Sequence, residues 1–366
     1  MEKFEERIYW IWLSQIPGIG AKRFHFLVEH FASAYGVWLA SKGELLKLAP
    51  QLSVNVVNEI INQRQQRVLD RIYETTNSAD YRIVTLLDEE YPDLLKQIFD
   101  PPPVLYCKGM SLKDINPSVA IVGSRRSTGY GRQMAEKFGF QLAEAGVTVV
   151  SGLARGIDAM SHHGALKAGG KTVGVLGCGI DRVYPPENRK LYSTMEEEGA
   201  IVSEYPPGTS PLAGNFPARN RIISGLASGV LVIEAGLKSG ALITVDFALE
   251  QGRDVYALPG NINVPQSAGT NKILKEGAKL VTDVQDILED LGISQEDPGN
   301  ASEPLQLDFF ETQVYNALQE GERHLEELAK DTKIEIHKLN AVLTMLEVKG
   351  IVKQMPGKIF IRNWDA

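Results

Sequence analysis

A stretch rich in glycine and arginine, Gly123-Ser124-Arg125-Arg126, follows a short apolar run and precedes a segment with helical character. Glycine lets backbone amides approach a ligand closely, and the positive end of a helix dipole favours an anion there. Arginine side chains can form paired hydrogen bonds with phosphate oxygens. The stretch therefore predicts a phosphate-binding loop in which Arg125 is the principal cation.

The same stretch differs from a dinucleotide-binding fingerprint. That fingerprint reads GxGxxG and is followed by an acidic residue about 20 positions later. Here two arginines occupy the turn, and the pair Gly129 and Gly131 comes after it. The loop thus favours a phosphate-bearing ligand over a nicotinamide cofactor. An ordinary strand-to-helix turn with surface arginines is the alternative interpretation.

Two later loops repeat this arrangement of a strand, a polar turn and the start of a helix. In Ser151-Gly152-Leu153-Ala154-Arg155-Gly156-Ile157-Asp158, Asp158 is expected to cap the following helix. Arg155 is expected either to contact an anion or to form an ion pair within the scaffold. In the other loop, Lys238-Ser239-Gly240 supplies a cation, a hydroxyl and a glycine as candidate phosphate ligands.

A fourth stretch combines cations with an aromatic side chain. Phe216 precedes Arg219-Asn220-Arg221 at the start of an apolar helix. Proteins bind single-stranded nucleic acids with this combination, because cations hold the backbone and a ring stacks on bases of any sequence. The alternative is that Phe216 packs on the start of the helix while Asn220 caps a turn.

Four such loops predict one cationic groove more strongly than any single loop does. The predicted DNA- and phosphate-binding residues are Gly123, Ser124, Arg125, Arg155, Phe216, Arg219, Asn220, Arg221, Lys238, Ser239 and Gly240.

The elements that must position these loops alternate between apolar strands and helices. Strands are predicted at 119–122, 147–150, 172–176, 200–202, 230–233 and 255–258, with a last unit at about 270–291. Continuous apolar strands alternating with helices indicate a parallel sheet that is buried on both faces. We therefore expect an α/β domain of the Rossmann-like, doubly wound kind, whose ligands bind at the carboxyl ends of its strands.

The chain on either side of this pattern predicts further domains. Residues 1–78 read as a helical domain resembling helix-hairpin-helix or SAM modules, with Pro17-Gly18-Ile19-Gly20 as a hairpin that either meets a phosphate or only turns the chain. The Rossmann-like domain spans 79–292, and the polar stretch 293–305 reads as a linker. Residues 306–366 predict three helices and a β-hairpin, which is the pattern of a winged helix.

Charge constrains the partners of these domains. The net charge is −8, but residues 261–305 alone carry three basic and eight acidic residues, so a local cationic groove stays compatible with it. Residues 306–366 carry eight basic and ten acidic residues. A protein contact or a spacer role is therefore favoured over duplex reading for the winged helix.

Composition predicts no metal, cofactor or catalytic residue. Cys107 and Cys178 lack zinc-site spacing, and His162 and His163 have no third ligand nearby, so all four are interpreted as packing or surface residues. No apolar run approaches the roughly 20 residues that cross a bilayer, and the first residues lack a signal-peptide pattern. The expected location is cytoplasmic, without a membrane partner.

Several of these motifs together resemble the DNA-processing protein A family (DprA, also called Smf). The matching stretches are Val122-Gly123-Ser124-Arg125, the loop from Ser151 to Asp158, the run from Pro217 to Leu226, Glu234-Ala235 with Ser239-Gly240, Ala257-Leu258-Pro259-Gly260 and Gly269-Thr270-Asn271. They lie within residues 80–292.

The resemblance implies a protein that binds single-stranded DNA without strong sequence preference. It also implies that the protein protects incoming strands and loads the RecA recombinase onto them in natural transformation. It further implies a homodimer joined through the Rossmann-like domains, and DNA contacts at Gly123, Ser124, Arg125 and Phe216. The family often has a lysine shortly before the position of Phe216, and residues 211–215 contain none.

The main alternative function is that of an enzyme. The predicted fold also resembles the lysine-decarboxylase-like family, which cleaves nucleoside monophosphates with a Pro-Gly-Gly-x-Gly-Thr loop and a catalytic acid. Here Leu258-Pro259-Gly260-Asn261 and Ala268-Gly269-Thr270 are split, and no acid follows in the required place. A binding protein without enzymatic activity is therefore predicted. An adaptor that acts through the winged helix alone would leave the cationic loops unexplained.

Overall fold

The computed structural model describes residues 3–113, 115–293, 307–318, 321–355 and 357–362, with side chains from residue 6 onward. The chain divides into two compact units, residues 1–294 and 295–366. The helices predicted within 1–78 and the Rossmann-like sheet belong to the same unit. The predicted linker, 293–305, lies outside the described residues except for its first residue. The finer division at residues 78 and 79 stays a prediction.

The described part of the first unit begins with short helices. They are α1 (Lys3–Ser14), α2 (Ala21–His30), α3 (Ala34–Leu39), α4 (Lys42–Lys47), α5 (Ala49–Leu52), α6 (Val54–Asn62) and α7 (Gln66–Ser78). The glycine turn between α1 and α2 is packed against α6. Gly18 has a φ of +84°, and a Cβ atom there would lie 2.8 Å from the Val56 side chain. Whether this turn also meets a phosphate stays a prediction.

Strands and helices then alternate as the sequence predicts. They are β1 (Arg82–Thr85), α8 (Asp93–Lys96), β2 (Val104–Gly109), β3 (Ser118–Val122), α9 (Gly129–Glu144), β4 (Thr148–Ser151), α10 (Ile157–Lys167), β5 (Thr172–Leu176), α11 (Arg189–Glu198), β6 (Ala200–Ser203), α12 (Asn215–Gly225), β7 (Gly229–Val232), α13 (Ala241–Glu250), β8 (Asp254–Ala257), α14 (Ala268–Lys275), β9 (Lys279–Leu280) and α15 (Gln285–Asp290).

These strands form one sheet in the order β1-β2-β6-β5-β4-β3-β7-β8-β9. In this order, all neighbouring strands from β6 through β5, β4, β3, β7 and β8 to β9 are parallel to each other. The pairs β1 with β2 and β2 with β6 are antiparallel. The chain runs outward from β3 to β6, then returns to place β7 on the other side of β3. The loops that follow β3 and β7 therefore meet at the switch point, where doubly wound sheets bind their ligands.

The sheet is covered on both faces, which confirms the predicted fold class. Val119 and Ile121 of β3 face a core that includes Phe138 of α9. Ala120 of the same strand faces the opposite core, which includes Ile222 of α12. Alternate residues of a strand point to opposite faces, so an uninterrupted apolar strand can fill both cores.

The N-terminal helices share a core with the antiparallel edge of the sheet. Trp12 and Phe24 belong to the same buried cluster as Tyr106 of β2 and Ile201 of β6. The side-chain amide of Gln15 donates a hydrogen bond of 3.1 Å to the Tyr106 hydroxyl. This shared apolar core is the reason that the helices and the sheet form one compact unit.

The second unit confirms the predicted winged helix. Its elements are α16 (Phe309–Ala317), β10 (Arg323–His324), α17 (Leu325–Thr332), α18 (Ile336–Val348), β11 (Val352–Met355) and β12 (Ile359–Arg362). The short strand β10 pairs with β12, and the sequence pattern does not predict it. The apolar core of this second unit includes Val314, Leu328, Leu343 and Phe360. Pro356 of the predicted hairpin lies outside the described residues.

Candidate functional site

A cavity of about 920 Å³ opens at the carboxyl ends of the parallel strands, beside the switch point. It is bounded by the loops after β3, β4 and β7 and by the start of α12. Nine predicted site residues line it: Gly123, Ser124, Arg125, Phe216, Arg219, Asn220, Lys238, Ser239 and Gly240. The structure therefore brings most of the predicted residues together, as the strand-end rule requires.

The first loop is held close to its neighbours because position 123 has no side chain. A Cβ atom on Gly123 would lie 2.6 Å from the side chain of Ile157 and 2.8 Å from the carbonyl oxygen of Glu234. The next amide, of Ser124, donates a hydrogen bond of 2.7 Å to that carbonyl oxygen. Glycine thus lets the loop after β3 lie against the loop after β7.

The buried carboxylate of Glu234 fixes the other end of the first loop. Its oxygens accept hydrogen bonds from the backbone amide of Thr128, at 2.9 Å, and from the Thr128 hydroxyl, at 2.5 Å. The Thr128 hydroxyl also caps α9 by accepting from the amide of Gly131. Glu234 lies in one of the sequence motifs, and the motif alone indicates no role for it. Its position directly after an apolar strand is the signal that could have shown one.

Arg125 and two aromatic rings form a cluster at the mouth of the cavity. The exposed Arg125 guanidinium lies 5.3 Å from the centre of the Phe216 ring, which is a cation–π distance. The ring of Tyr184 lies 5.3 Å from the same ring and is 39% exposed. Gly177 leaves space for Phe216, since a Cβ atom there would lie 2.9 Å from that ring. Tyr184 also lines the cavity, and no sequence motif predicts this position.

Arg219 is a buried part of the cavity floor. Only 3% of the residue is exposed, and its Nη1 donates to the carbonyl oxygens of Gly152, at 2.8 Å, and of Val175. Burial lowers the pKa of Arg219 to about 10, although the nearby Asp158 carboxylate opposes this shift. Its hydrogen bonds tie the loop after β4 to β5, so Arg219 positions the cavity floor.

Asp158 does not cap α10, contrary to the sequence-based expectation. The residue before α10 is Gly156, with a φ of +76°, and Asp158 lies inside the first helical turn. Its buried carboxylate accepts hydrogen bonds from the backbone amides of Ala154 and Gly152. Burial raises the pKa of Asp158, and the charge of Arg219 opposes that shift. The side chain therefore folds back onto its own loop.

Arg155 and Arg221 do not reach the cavity lining. The exposed Arg155 forms an ion pair with Glu187, which is the scaffold alternative considered above. Arg221 points to the other side of α12, where it pairs with Glu204 at 2.7 Å and with Asp100 at 3.3 Å. These ion pairs engage both guanidinium groups in the scaffold.

The loop after β7 brings a helix N-terminus and an exposed cation to the cavity. Lys238 is exposed, and the Ser239 hydroxyl accepts a hydrogen bond of 3.3 Å from the amide of Ala241 at the start of α13. The side-chain amide of Asn220 donates to the carbonyl oxygen of Gly240 at 3.2 Å. Asn220 therefore joins α12 to this loop, and the positive end of the α13 dipole faces the cavity.

The charges at the cavity suit an anionic ligand. Arg125, Arg126 and Lys238 line it and are exposed. Among the described lining residues, Asp158 is the one carboxylate, and it is buried behind its loop. The arrangement thus offers cations, a helix N-terminus and a ring to one ligand, as single-strand-binding grooves do.

The fold and this cavity define a Rossmann-like protein with a cationic cleft at the switch point of its sheet. Residues 82–292 match the family model of the DNA recombination-mediator protein A, and residues 298–358 match the DprA winged helix domain. Protein Smf of Synechocystis is 35% identical, over 98% of this chain and 99% of its own. The chain belongs to the DNA recombination-mediator protein A family, also known as DprA or Smf.

Other relatives agree with this assignment. The DNA processing protein DprA of Bacillus subtilis is 42% identical, over 61% of this chain and 75% of its own. The crystal structure of DprA from Streptococcus pneumoniae has a TM-score of 0.67 and 36% identity, covering 79% of this chain and 99% of that one. A structure from Helicobacter pylori, described for its single-stranded DNA binding mode, has a TM-score of 0.53 and 33% identity, covering 58% of this chain and 96% of that one.

A further property of the helices is their length and composition. Within the described ranges, none combines the length and the apolar character that crossing a bilayer requires.

Proposed function

We propose that the cavity at the switch point binds single-stranded DNA without strong sequence preference. Arg125 and Lys238 hold backbone phosphates, and the Phe216 ring stacks on a base. The observation that carries this proposal is the placement of an exposed guanidinium 5.3 Å from the centre of a half-buried ring at the cavity mouth. Charge and stacking are the two interactions that sequence-independent single-strand binding needs.

The remaining lining residues have supporting roles in this proposal. The glycines at 123 and 240 let phosphates approach the backbone, and Ser124 and Ser239 offer hydroxyls. Arg219 and Asn220 hold the loops in place through the hydrogen bonds described above. The Helicobacter pylori relative, described for its single-stranded DNA binding mode, supports the same ligand for this chain.

Membership of this family also supports more specific proposals about the role of the protein in the cell. The chain protects incoming single strands and loads the RecA recombinase onto them in natural transformation, in the cytoplasm, as a homodimer joined through the Rossmann-like unit. Loading is tested by strand exchange, in which RecA acts on DNA already coated with single-strand-binding protein, with and without this protein. Sedimentation tests the dimer, since a monomer at micromolar concentration would contradict it.

A nucleotide hydrolase is the alternative function, and the cavity gives it little support. Base release needs an acid or base positioned at the bond that breaks. The carboxylate among the described lining residues, Asp158, already accepts two backbone hydrogen bonds on its own loop. We therefore propose a binding protein rather than an enzyme. Release of free base from nucleoside monophosphates by the pure protein would overturn this choice.

The central experiment is a titration of oligo-dT with the whole protein over a range of salt concentrations. Replacing Arg125 by alanine is expected to weaken binding and to reduce the slope of log K against log salt by about 0.7, because one fewer phosphate contact releases counterions. Phe216→Ala is expected to weaken binding by about 1–3 kcal/mol with little change in that slope.

Arg71→Ala is the matched control, because Arg71 is exposed on α7 and its loss changes the net charge equally. If Arg125→Ala and Arg71→Ala gave the same affinity and the same slope, Arg125 would have no role in binding. A duplex of the same length, added as a competitor, separates single-strand binding from general attraction to DNA.

A further inference from the structure

A second cavity, of about 690 Å³, lies at the same edge of the sheet and is used by none of the contacts proposed so far. Its walls come from the start of α9 and from the loop after β8. The lining residues are Thr128, Tyr130, Glu234, Pro259, Gly260, Asn261, Val264 and Ser267. The side chains of Tyr130, Pro259 and Val264 give it a largely apolar surface, which suits an uncharged group.

The loop after β8 is held in a fixed shape by the motif that contains Gly269 and Asn271. The Asn271 side chain forms two hydrogen bonds with the backbone of Gly260. Its Nδ2 donates to the Gly260 carbonyl oxygen at 2.8 Å, and its Oδ1 accepts from the Gly260 amide at 3.1 Å. The amide of Gly269 donates to the carbonyl oxygen of Ala235 at 2.7 Å. A Cβ atom on Gly269 would lie 2.5 Å from that oxygen. These contacts build the cavity wall in advance of any ligand.

The two cavities share the segments that bound them. Residues 124–126 line the first cavity, and Thr128 and Tyr130, a few positions later, line the second. In the other segment, Val264 lines the second cavity and Pro265 lines the first. Neighbouring Cα atoms are about 3.8 Å apart, so a short step along one chain leads from one cavity to the other.

Tyr130 presents a ring at the second cavity. It is 51% exposed and stands in the first turn of α9, whose cap at Thr128 is fixed by Glu234. The exposed guanidinium of Arg126 precedes this turn and lines the first cavity. A cation is thus available on the segment that leads from the first cavity to the second, where it can meet a phosphate of a strand that follows the same path.

We propose that the second cavity receives another base of the same single strand, stacked on Tyr130. This inference rests on the proposed function, because it extends the path of the strand from the first cavity. The ligand is an unpaired nucleobase, and Arg126 holds the phosphate that links it to the base on Phe216. Stacking on a ring depends little on base identity, so the second site lengthens the binding path without adding sequence preference.

The test compares two ligands of the whole protein. One is thymidine 5′-monophosphate, whose single base can fill only one cavity, and the other is an oligo-dT of about twelve nucleotides, within the range that single-strand-binding domains cover. Tyr130→Ala is expected to weaken binding of the oligo-dT by about 5- to 150-fold, the equivalent of one lost stacking contact, and to leave binding of the mononucleotide to the first cavity unaffected. Tyr130→Phe keeps the ring and is expected to bind like the wild type.

Controls separate the failure of this inference from that of the proposed function. Tyr73→Ala removes another half-exposed tyrosine, from α7, and is expected to change neither affinity. Phe216→Ala is expected to weaken binding of both ligands. If Phe216→Ala weakens binding and Tyr130→Ala behaves like Tyr73→Ala, the second base site is absent while the proposed function stands. If the wild type binds neither ligand, the proposed function fails.

A crosslinking measurement on the wild-type protein tests the second site without depending on whether a variant folds. Photo-crosslinking of a strand that carries 5-iodouracil is expected to label the peptides that contain Phe216 and Tyr130. Labelling of the Phe216 peptide alone would overturn the second site. A Tyr130→Ala variant that changes the sedimentation of the free protein but not its DNA affinity would assign this surface to a second copy of the chain, and would also overturn it.

Discussion

The buried histidine of α10 leads to a quantitative prediction about stability. His162 is fully buried, and its Nδ1 lies 2.7 Å from the hydroxyl oxygen of Thr172. Because that hydroxyl donates to the carbonyl oxygen of Val149, Nδ1 must carry the proton and donate to Thr172. The other ring nitrogen, Nε2, has no hydrogen-bond partner among the described residues. The ring is therefore neutral in the folded protein.

Burial, with smaller contributions from His163 and Arg219, lowers the pKa of His162 to about 3. In the unfolded chain its pKa is about 6.5, so the unfolded state takes up the proton first as the pH falls. The stability that the neutral ring contributes is complete above pH 6.5 and is lost progressively between pH 6.5 and about 3. At pH 5 the loss amounts to about 2 kcal/mol, from about 1.4 kcal/mol per pH unit.

Urea unfolding at pH 7 and pH 5 measures this loss. His162→Gln removes the titrating ring but keeps a donor for Thr172, so its stability is expected to fall less with pH than that of the wild type, by about 2 kcal/mol. His163→Gln is the matched control, because His163 is exposed on the same helix. Equal pH dependence of His162→Gln and the wild type would refute the reasoning.

Two further variants test the structural contacts around the cavity. Arg221→Ala is expected to lower the free energy of unfolding by about 3–5 kcal/mol, because it leaves the Glu204 carboxylate, whose side chain is only 16% exposed, without this partner. The salt slope of oligo-dT binding is expected to stay unchanged, and a lower slope would show that Arg221 contacts DNA. Gly177→Ala is expected to weaken oligo-dT binding, because its methyl group displaces the ring of Phe216, whereas Gly43→Ala, whose nearest neighbour is a side-chain oxygen 3.9 Å away, is not. Equal affinities of these two variants would contradict the fit of Phe216 against Gly177.

The sequence predicts the loops of the site better than the directions of their side chains. Apolar strands followed by polar turns place Gly123, Phe216 and Lys238 at one edge of the sheet, since parallel strands end at the same edge. Arg219 and Arg221 are two positions apart on a helix and so point about 200° apart around its axis. Which of them faces the cavity depends on how α12 packs on the sheet, and that packing involves residues distant in sequence.

The surroundings of each side chain also explain why Asp158 and Arg155 differ from their predicted roles. Asp158 has the residue type of a helix cap, but its loop bends back so that two amides reach its carboxylate first. Arg155 meets Glu187, which is 32 residues away. The strands β1 and β2 pair in antiparallel fashion at one edge of the sheet, where β2 also meets β6, about 95 residues later in the chain. Glu187 and the strand partners come from other elements of the fold, and local sequence patterns carry no information about them.

The contact between Glu234 and Thr128 also sets a time at which the cavity can form. The two residues are 106 positions apart, so Thr128 leaves the ribosome well before its carboxylate partner is made. At about 5–20 residues per second, this interval lasts about 5–20 s. Until then, the first loop lacks the carboxylate that orders it, and β3 lacks its neighbour β7. The growing chain therefore acquires its binding cavity late, only after most of the first unit has been synthesised.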